Sequence, residues 1–276
     1  MICNKQCYCR FNDEILNDNL SLNSLVLAVK TSTALITALT ITKFRGLTIP
    51  FAFIGMAVLR LPLWLNKKCR FWKLMGSGKN AEIDLATDFK HWALLTTWEY
   101  QEDCEAFYRN SLVTKWFNFF GLESCTTLLK PLSSHGLWSK KEPFKSDKDN
   151  NEYNGKIAVI TRAAIRFNRL KEFRQNIKRA SDAMRTAPGF ILAAGIGENP
   201  FLDQATFSIW ENAESVKNYA YKTFDHADVI KLTRARQWYK EELFARFEII
   251  TSYGKLNGIP INDYQPQVNP TKPKII

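Results

Sequence analysis

Apolar and polar positions alternate in a regular way through the second half of the chain. "GKIAVITRAAIRF" (residues 155–167) is rich in β-branched residues, which is typical of a strand. "LKEFRQNIKRASDAMRTA" (residues 170–187) has apolar residues at helical spacing, and Pro188 and Gly189 end that helix. The pattern beyond predicts two strands at residues 190–199 and 204–211, a long helix from about Ala213 to Phe247, and a last strand at residues 248–255. The predicted order is β-α-β-β-α-β, which is the ferredoxin-like unit.

The first half shows the same order of predicted elements. Residues 24–33 begin a strand, and residues 47–66 supply a helix that Pro50 and Pro62 kink. The remaining elements are strands at residues 71–78 and 91–99, a second helix at residues 100–120, and a closing strand at residues 125–138.

Two pairs of short blocks indicate an internal duplication. "FWKLMGSGKN" and "FILAAGIGEN" match at an offset of 119 residues (190 minus 71). "WEYQE" and "WENAE" match at an offset of 112 residues (210 minus 98). Matched blocks in the same element order are the signature of a repeat.

The repeat divides the chain into two similar units. We predict an α+β fold in which duplicated ferredoxin-like (βαββαβ) units pack sheet to sheet as an intramolecular dimeric α/β barrel. The space between the sheets and their helices is predicted to be an apolar cavity suited to a flat or long ligand. The predicted segments are an N-terminal appendage (1–23), a first repeat (24–140), a linker (141–154), a second repeat (155–260) and a C-terminal tail (261–276).

The basic charge is spread along the whole chain. The formal net charge is +11, with no long block of one sign. Nucleic-acid-binding proteins usually gather their charge on one stripe, so we expect no nucleic acid. The apolar stretch at residues 47–59 is shorter than a membrane span, and no signal-peptide pattern is visible. We therefore expect a cytoplasmic protein without a transmembrane helix, peripheral to a membrane surface.

The cysteines favour a reducing compartment. Cys69, Cys104 and Cys125 are widely spaced within apolar or helical segments, which predicts buried free thiols. The N-terminal group formed by Cys3, Cys7 and Cys9 lacks the second pair of ligands that a zinc finger needs.

Most catalytic signatures are absent, and the sequence assigns no catalytic residue. The glycines of "GIGEN" fall between two strands, which predicts a turn rather than a dinucleotide loop. Three histidines remain, His91, His135 and His226. On the predicted helix, His226 shares a face with Ile230, Thr233, Arg234 and Gln237. By spacing alone, a helix histidine bonded to backbone or water explains His226 better than a ligand role.

Several blocks together resemble the spheroidene monooxygenase family of carotenoid biosynthesis. They include "FWKLMGSG", "HWALLTTWE", "GLWSKKEPF" and "AVITRAAIR", and two longer blocks, "PGFILAAGIGENPFLDQATFSIWE" and "HADVIKLTRARQWYKEELFARF". The resemblance runs from about residue 24 to residue 260. It implies a haem-type oxygenase that introduces a keto group at C-2 of an acyclic carotenoid. Two successive oxygenations would act at one carbon with electrons from reduced ferredoxin, and the resulting gem-diol would lose water.

The resemblance also implies a functional role for one of the histidines. His226 heads the last block, so we expect its imidazole to ligate the haem iron, with Arg234 paired to a propionate. His135 and His91 are the alternatives for the ligand. The chain has no thiolate loop of the P450 type. Two other functions remain open: a non-catalytic protein that binds an apolar ligand or haem, and a haem dehydratase or peroxidase that needs no ferredoxin.

Overall fold

The computed structural model describes residues 35–78, 87–145, 153–199, 201–222, 233, 235–256 and 258–260. Contacts divide the chain into a unit of residues 1–33 and a unit of residues 34–276, and every described residue belongs to the second.

The described residues of the second unit form strands and helices in alternation. The strands are β1 (Ile36–Phe44), β2 (Cys69–Gly78), β3 (Thr87–Trp98), β4 (Gly121–Gly136), β5 (Ile157–Ile165), β6 (Phe190–Asn199), β7 (Asp203–Trp210), β8 (Tyr239–Leu256) and the short β9 (Ile259–Pro260). The helices are α1 (Ile49–Val58), α2 (Arg60–Leu65), α3 (Gln101–Asn110), α4 (Leu112–Phe120), α5 (Leu170–Arg185) and α6 (Ala213–Lys222), with 3₁₀ turns at Gly46–Thr48 and Phe167–Arg169.

Eight antiparallel strands close into a barrel. The strand order is β4-β1-β3-β2-β6-β7-β5-β8, and β8 pairs back with β4. The predicted α+β class and the predicted barrel are confirmed. The two halves meet edge to edge as one continuous sheet rather than as two facing sheets, because closure leaves no strand edge of the barrel unpaired. Strands β2 and β6 join the two halves on one side of the barrel, where Gly76 pairs with Gly197.

The two halves share their strand order and their register. Ile36 of β1 pairs with Trp98, and Ile157 of β5 pairs with Trp210. Both tryptophans make the same hydrogen bond, in which the indole N–H donates to a hydroxyl two residues earlier. Trp98 donates to Thr96 at 3.0 Å, and Trp210 donates to Ser208 at 2.9 Å.

The register corrects one of the two block alignments. Cys69 pairs with Trp98 and Phe190 pairs with Trp210, so β2 and β6 correspond at an offset of 121 residues (190 minus 69). The offset of 119 was wrong by two residues, although it matched the right strands. A β-bulge follows Cys69 and another follows Phe190, and the counterpart of Gly76 is Gly197.

The predicted long helix from Ala213 to Phe247 is wrong at its C-terminal end. The helix α6 ends at Lys222, and strand β8 begins at Tyr239. The apolar spacing of residues 239–247 fits a helix by count, but it also alternates with a period of two. Pairing with β4 and β5 on both sides selects the strand, since it satisfies both edges of the backbone.

Two smaller differences concern the first half and the glycines. The strand predicted at residues 24–33 stays a prediction, because it lies outside the described residues. The predicted helix at residues 100–120 is two helices, because Ser111 caps α4 by accepting from the backbone N–H of Thr114 at 3.0 Å. The glycines of "GIGEN" lie within strand β6 and not in a turn.

Apolar side chains fill the inside of the barrel. Leu39, Met75, Leu95 and Phe207 belong to one buried cluster that draws on both halves. The expected cavity between the sheets is therefore occupied in the part of the barrel that the structure describes, since interior strand residues of a barrel this size meet in the middle.

The predicted linker and the residues just before it contribute to this interior. Trp138, near the end of the predicted first repeat, and Phe144, in the predicted linker, belong to the same buried cluster, with exposures of 1% and 0%. Their rings pack against Phe71 and Phe247. The boundaries of the predicted segments stay predictions, because residues 146–152 and both termini lie outside the described ranges.

Candidate functional site

One row of residues runs across the outer face of each half, beneath the helices. In the second half it is Gly195 on β6, Thr206 on β7, Thr161 on β5 and Phe244 on β8. Cross-strand partners present their side chains on the same face of a sheet. The corresponding row of the first half is Leu74, Leu94, Thr40 and Thr126.

The two rows differ in the size of their side chains and in their solvent exposure. Leu74 and Leu94 are 3% and 1% exposed, and their places in the second half are taken by Gly195 and Thr206. Thr40 is buried and donates a hydrogen bond to the Tyr108 hydroxyl at 3.0 Å. Thr161 is exposed although it sits on a strand that is paired on both sides. Smaller side chains thus leave open space at the centre of the second half.

Two separate apolar clusters border this space. One contains Val159, Trp210 and Tyr219, and the other contains Ile165, Phe173 and Trp238. Helix α5 contributes to both of them. We call the space between the clusters the outer groove. Its floor is the row of Gly195, Thr206, Thr161 and Phe244.

Polar groups lie at one end of the outer groove. The indole N–H of Trp238 is buried and lacks a hydrogen-bond partner, which costs about 1–3 kcal/mol in a protein interior. Burial raises the pKa of the neighbouring Tyr239 to about 12, so its hydroxyl keeps its proton at neutral pH. The Tyr239 hydroxyl hydrogen-bonds to Thr233, whereas the indole N–H of Trp238 is a buried donor that a polar atom of a bound ligand would satisfy.

A second opening lies beside the first turns of α5. It is a shallow cleft of about 350 Å³ lined by Leu170, Lys171, Arg174 and Gln175. The guanidinium of Arg174 lies 5.1 Å from the centre of the Phe201 ring, and its buried Nε has no partner. Arg174 is the described arginine of α5 with a free buried donor, and therefore a candidate for an anionic group.

The structure separates the histidines. His135 is exposed and pairs with Phe244, so it lies on the outer face in line with the groove floor. Thr161 is two strands away from it, or about 10 Å. His91 is 1% exposed and faces the barrel interior from β3, with an interaction of its own there, so it does not reach the groove.

His226 and Arg234 lie outside the described residues, and their predicted roles stay predictions. Their segment connects the end of α6 at Lys222 to the start of β8 at Tyr239. Two described neighbours on the predicted ligand face are Thr233, which is buried, and Gln237, which has a positive φ of 49°.

A charged network closes one end of the barrel interior. Arg162 is 5% exposed and binds both Asp203, at 2.9 Å, and Glu241. The carboxylate of Glu241 also accepts the backbone N–H groups of Ser139 and Lys140 at 2.8 Å each. Both of these residues have positive φ, which turns their N–H groups toward one anion.

The same network sets the charge of Glu241. Burial works against its charged form, but the two backbone N–H groups and Arg162 outweigh burial and hold the pKa of Glu241 below its usual range. These contacts hold the chain after Trp138 at this end of the barrel.

The described cysteines are inert thiols, as predicted. Cys69, Cys104 and Cys125 are free and buried. Burial raises the pKa of Cys69 and of Cys125 to about 12 and also raises the pKa of Cys104. A thiol in this state is neither a nucleophile nor a metal ligand at neutral pH. No metal-binding group of His, Cys, Asp and Glu occurs among the residues that the structure describes.

Sequence reasoning missed the outer groove. The signal was available in β6, where "AAGIG" places Ala193, Gly195 and Gly197 on one face at a spacing of two. At the correct offset of 121 residues, Gly195 aligns with Leu74. The alignment then shows that the second half carries the smaller side chain at this position. The alignment at 119 set glycine against glycine and concealed it.

Comparison with known proteins agrees with this division of the chain. The family described as "Domain of unknown function (DUF3291)" matches residues 156–247, which are the second half. Among solved structures, an aldoxime dehydratase (OxdRE) in complex with butyraldoxime is similar in fold, with a TM-score of 0.55 and 12% identity over 83% of this chain and 84% of that one.

Curated relatives extend the likeness to both halves. The chain is 33% identical to spheroidene monooxygenase of Cereibacter sphaeroides over 204 residues, which are 74% of this chain and 63% of that protein. It thus matches less than two thirds of that relative's length. It is 27% identical to spheroidene monooxygenase of Rhodobacter capsulatus over 225 residues, which are 81% of this chain and 93% of that protein. The chain is thus similar to spheroidene monooxygenases through both of its halves.

Proposed function

We propose that the protein is a carotenoid monooxygenase that introduces a keto group at C-2 of an acyclic carotenoid. The reaction would use dioxygen, bound haem and electrons from reduced ferredoxin. The observation that carries the proposal is the outer groove, where Thr161 lies open between two apolar clusters. Similarity to the spheroidene monooxygenases supplies the reaction and the substrate class.

The groove fits a flat apolar group. Gly195 lets a planar ligand approach the backbone of β6, where a leucine would fill the same place as Leu74 does in the first half. Phe244 offers a half-buried aromatic ring at the other end of the row. The unpartnered N–H of Trp238 offers a donor to a polar edge. Haem combines a planar apolar body with polar edges, so the described residues fit it.

Three histidines are candidates for the haem ligand. Bound haem would supply the activation of dioxygen. His226 would be the first candidate to ligate the haem iron, and Arg234 would pair with a propionate, because both belong to the segment between α6 and β8. His135 is the described alternative, since its side chain lies on the groove face. His91 is the weakest of the three, because it faces the barrel interior.

The chain's own part in the reaction is to bind and orient the substrate. The clusters around Trp210 and Phe173 provide apolar walls that a polyene chain can contact along its length. Helix α5 supplies apolar side chains to both walls. The Thr161 hydroxyl is the exposed polar group on the floor and is placed to donate to an oxygen of the substrate end or of the product ketone.

The barrel itself supports an evolutionary inference. We infer that its halves are duplicated ferredoxin-like units, because each runs βαββαβ with matching registers and the same tryptophan–hydroxyl bond. In this view the first half kept a filled face and the second half opened its face for a ligand.

The proposal is tested by turnover. Purified protein supplied with haem, a reduced ferredoxin system and an acyclic methoxylated carotenoid should form a ketone that carries one oxygen more and two hydrogens fewer than the substrate. Omission of ferredoxin or dioxygen should stop it. A stable pigment or haem complex without product under these conditions would favour a binding protein. Turnover without ferredoxin would favour a dehydratase or peroxidase.

A further inference from the structure

The helices α1 and α2 are apolar on two opposite sides. Ala52, Gly55, Leu59 and Leu63 form the buried side and pack on the first half of the barrel. The other side is exposed and recurs at the same helical spacing. We call it the apolar face, and its members are Leu47 in the preceding 3₁₀ turn and Phe51, Ile54, Val58, Leu61 and Trp64 in the helices.

The exposure of this face is large for a protein surface in water. Leu47 is 92% exposed, Leu61 is 60% and Trp64 is 63%. Residues 46–65 are long and apolar enough for a membrane span by length and composition, and 22% of that stretch is buried. A helix that is apolar all round needs an apolar medium on each side. A contiguous exposed patch of this kind marks an interaction site.

The fold excludes a span at this place. The stretch begins directly after β1 and ends directly before β2, and both strands pair with β3 in the same sheet. The helix therefore lies along the barrel with one side held by the core. Such a helix meets a bilayer in the plane of its surface, with the apolar face among the acyl chains.

The charge around the face selects an anionic surface. Neither aspartate nor glutamate occurs between residues 19 and 81. Arg45, Arg60 and Lys67 are exposed beside the apolar face. The ammonium of Lys67 lies 5.1 Å from the centre of the Trp64 ring, a pairing that suits the boundary between lipid headgroups and acyl chains. If two copies of this chain docked through this face, their basic residues would repel one another. Anionic lipid headgroups would attract the same residues.

We propose that the apolar face of α1 and α2 docks the protein on an anionic lipid bilayer as an in-plane anchor. The inference stands apart from the proposed reaction, because none of its residues lines the outer groove. If that reaction holds, docking places the barrel where a membrane-dissolved substrate is available.

The test is co-sedimentation of the full-length chain with vesicles. One set contains phosphatidylcholine alone and the other contains phosphatidylcholine mixed with phosphatidylglycerol. The wild type should bind the mixed vesicles and bind the neutral ones far less. The triple variant Leu47→Ser, Leu61→Ser, Trp64→Ser should bind at least about tenfold more weakly, since it removes the inserted surface. Arg45→Glu with Lys67→Glu should weaken binding about fivefold or more per site.

The control replaces an equally exposed aromatic far from this face. Phe167→Ser removes a ring that is 77% exposed at the start of α5, and it should bind vesicles like the wild type. Circular dichroism and thermal unfolding report whether each variant folds. Three results would overturn the proposal: wild type that stays in solution with both vesicles, a folded triple variant that binds like the wild type, or a wild-type dimer that the triple variant abolishes without any vesicle binding.

Discussion

Thr40 and Thr161 occupy the same place in the two halves of the barrel, but Thr40 is buried beneath Tyr108 and Thr161 is exposed. Each sits on the first strand of its half, four residues after an isoleucine that pairs with a tryptophan. The difference lies in the neighbours, since Leu94 stands beside Thr40 and Thr206 stands beside Thr161. The described side chains therefore fill the outer face of the first half and leave that of the second half partly open.

Refilling the groove should remove ligand binding without loss of stability. Thr206→Leu copies the residue of the first half, and we expect affinity for haem or carotenoid to fall by about tenfold or more, since about two carbon atoms' worth of space is lost. Thermal unfolding should stay at or above the wild-type midpoint. The matched control is Leu94→Thr, which should cost about 2–3 kcal/mol of unfolding free energy and leave ligand affinity intact. Unchanged affinity in Thr206→Leu would place the ligand elsewhere.

The two tryptophan–hydroxyl bonds should contribute alike. Ser208→Ala leaves the buried indole N–H of Trp210 without its acceptor, and we expect a loss of about 1–3 kcal/mol of unfolding free energy. Thr96→Val does the same to Trp98 and should cost a similar amount. Denaturant unfolding of both variants measures this. Losses that differ by more than about 2 kcal/mol would show that the halves are not equivalent at these positions.

Glu241 should make stability depend on acid. Its pKa is lowered in the fold, so its contribution is fully present above the pKa of an unfolded glutamate and is lost as pH falls through the lower folded value. We expect Glu241→Gln to lose about 2 kcal/mol at neutral pH, because Arg162 and two backbone N–H groups lose a charged acceptor. The gap to the wild type should shrink in acid. A gap that is independent of pH, measured by urea unfolding, would argue against this role.

The described thiols should resist alkylation in the native state. With pKa values raised to about 12 by burial, Cys69 and Cys125 carry almost no thiolate at pH 8. Iodoacetamide followed by peptide mass mapping should leave them unmodified in folded protein and label them in denaturant. Rapid labelling of either residue in the folded protein would show that its strand opens.

The sequence predicted the element order from periodicity, and it predicted the barrel class from the duplication that the matched blocks indicated. The strands β2, β5, β6 and β7 were placed nearly as the structure has them, since β-branched and alternating residues leave little choice. The residues from Tyr239 to Phe247 were misassigned because their spacing suits both periods, and only pairing with β4 and β5 decides between them. Local pattern does not contain that tertiary information.

The candidate site was harder to predict than the fold. The groove exists because the side chains on its floor are small. Gly195, Thr206 and Thr161 carry no chemical signature of their own. They become visible only when the register sets them beside Leu74 and Leu94. The histidines were visible in the sequence, but only the strand pairing shows that His135 borders the groove and that His91 does not.

We propose that the second half binds haem in its outer groove through a histidine. The absorption spectrum of the protein during haem titration tests this for the wild type, His226→Ala, His135→Ala and His91→Ala. We expect a Soret band in the wild type, a shifted band and weaker retention in His226→Ala, and little change in His91→Ala. A loss in His135→Ala alone would move the ligand to the described edge of the groove. A wild type without a Soret band, or His226→Ala and His135→Ala that both match the wild type, would contradict it.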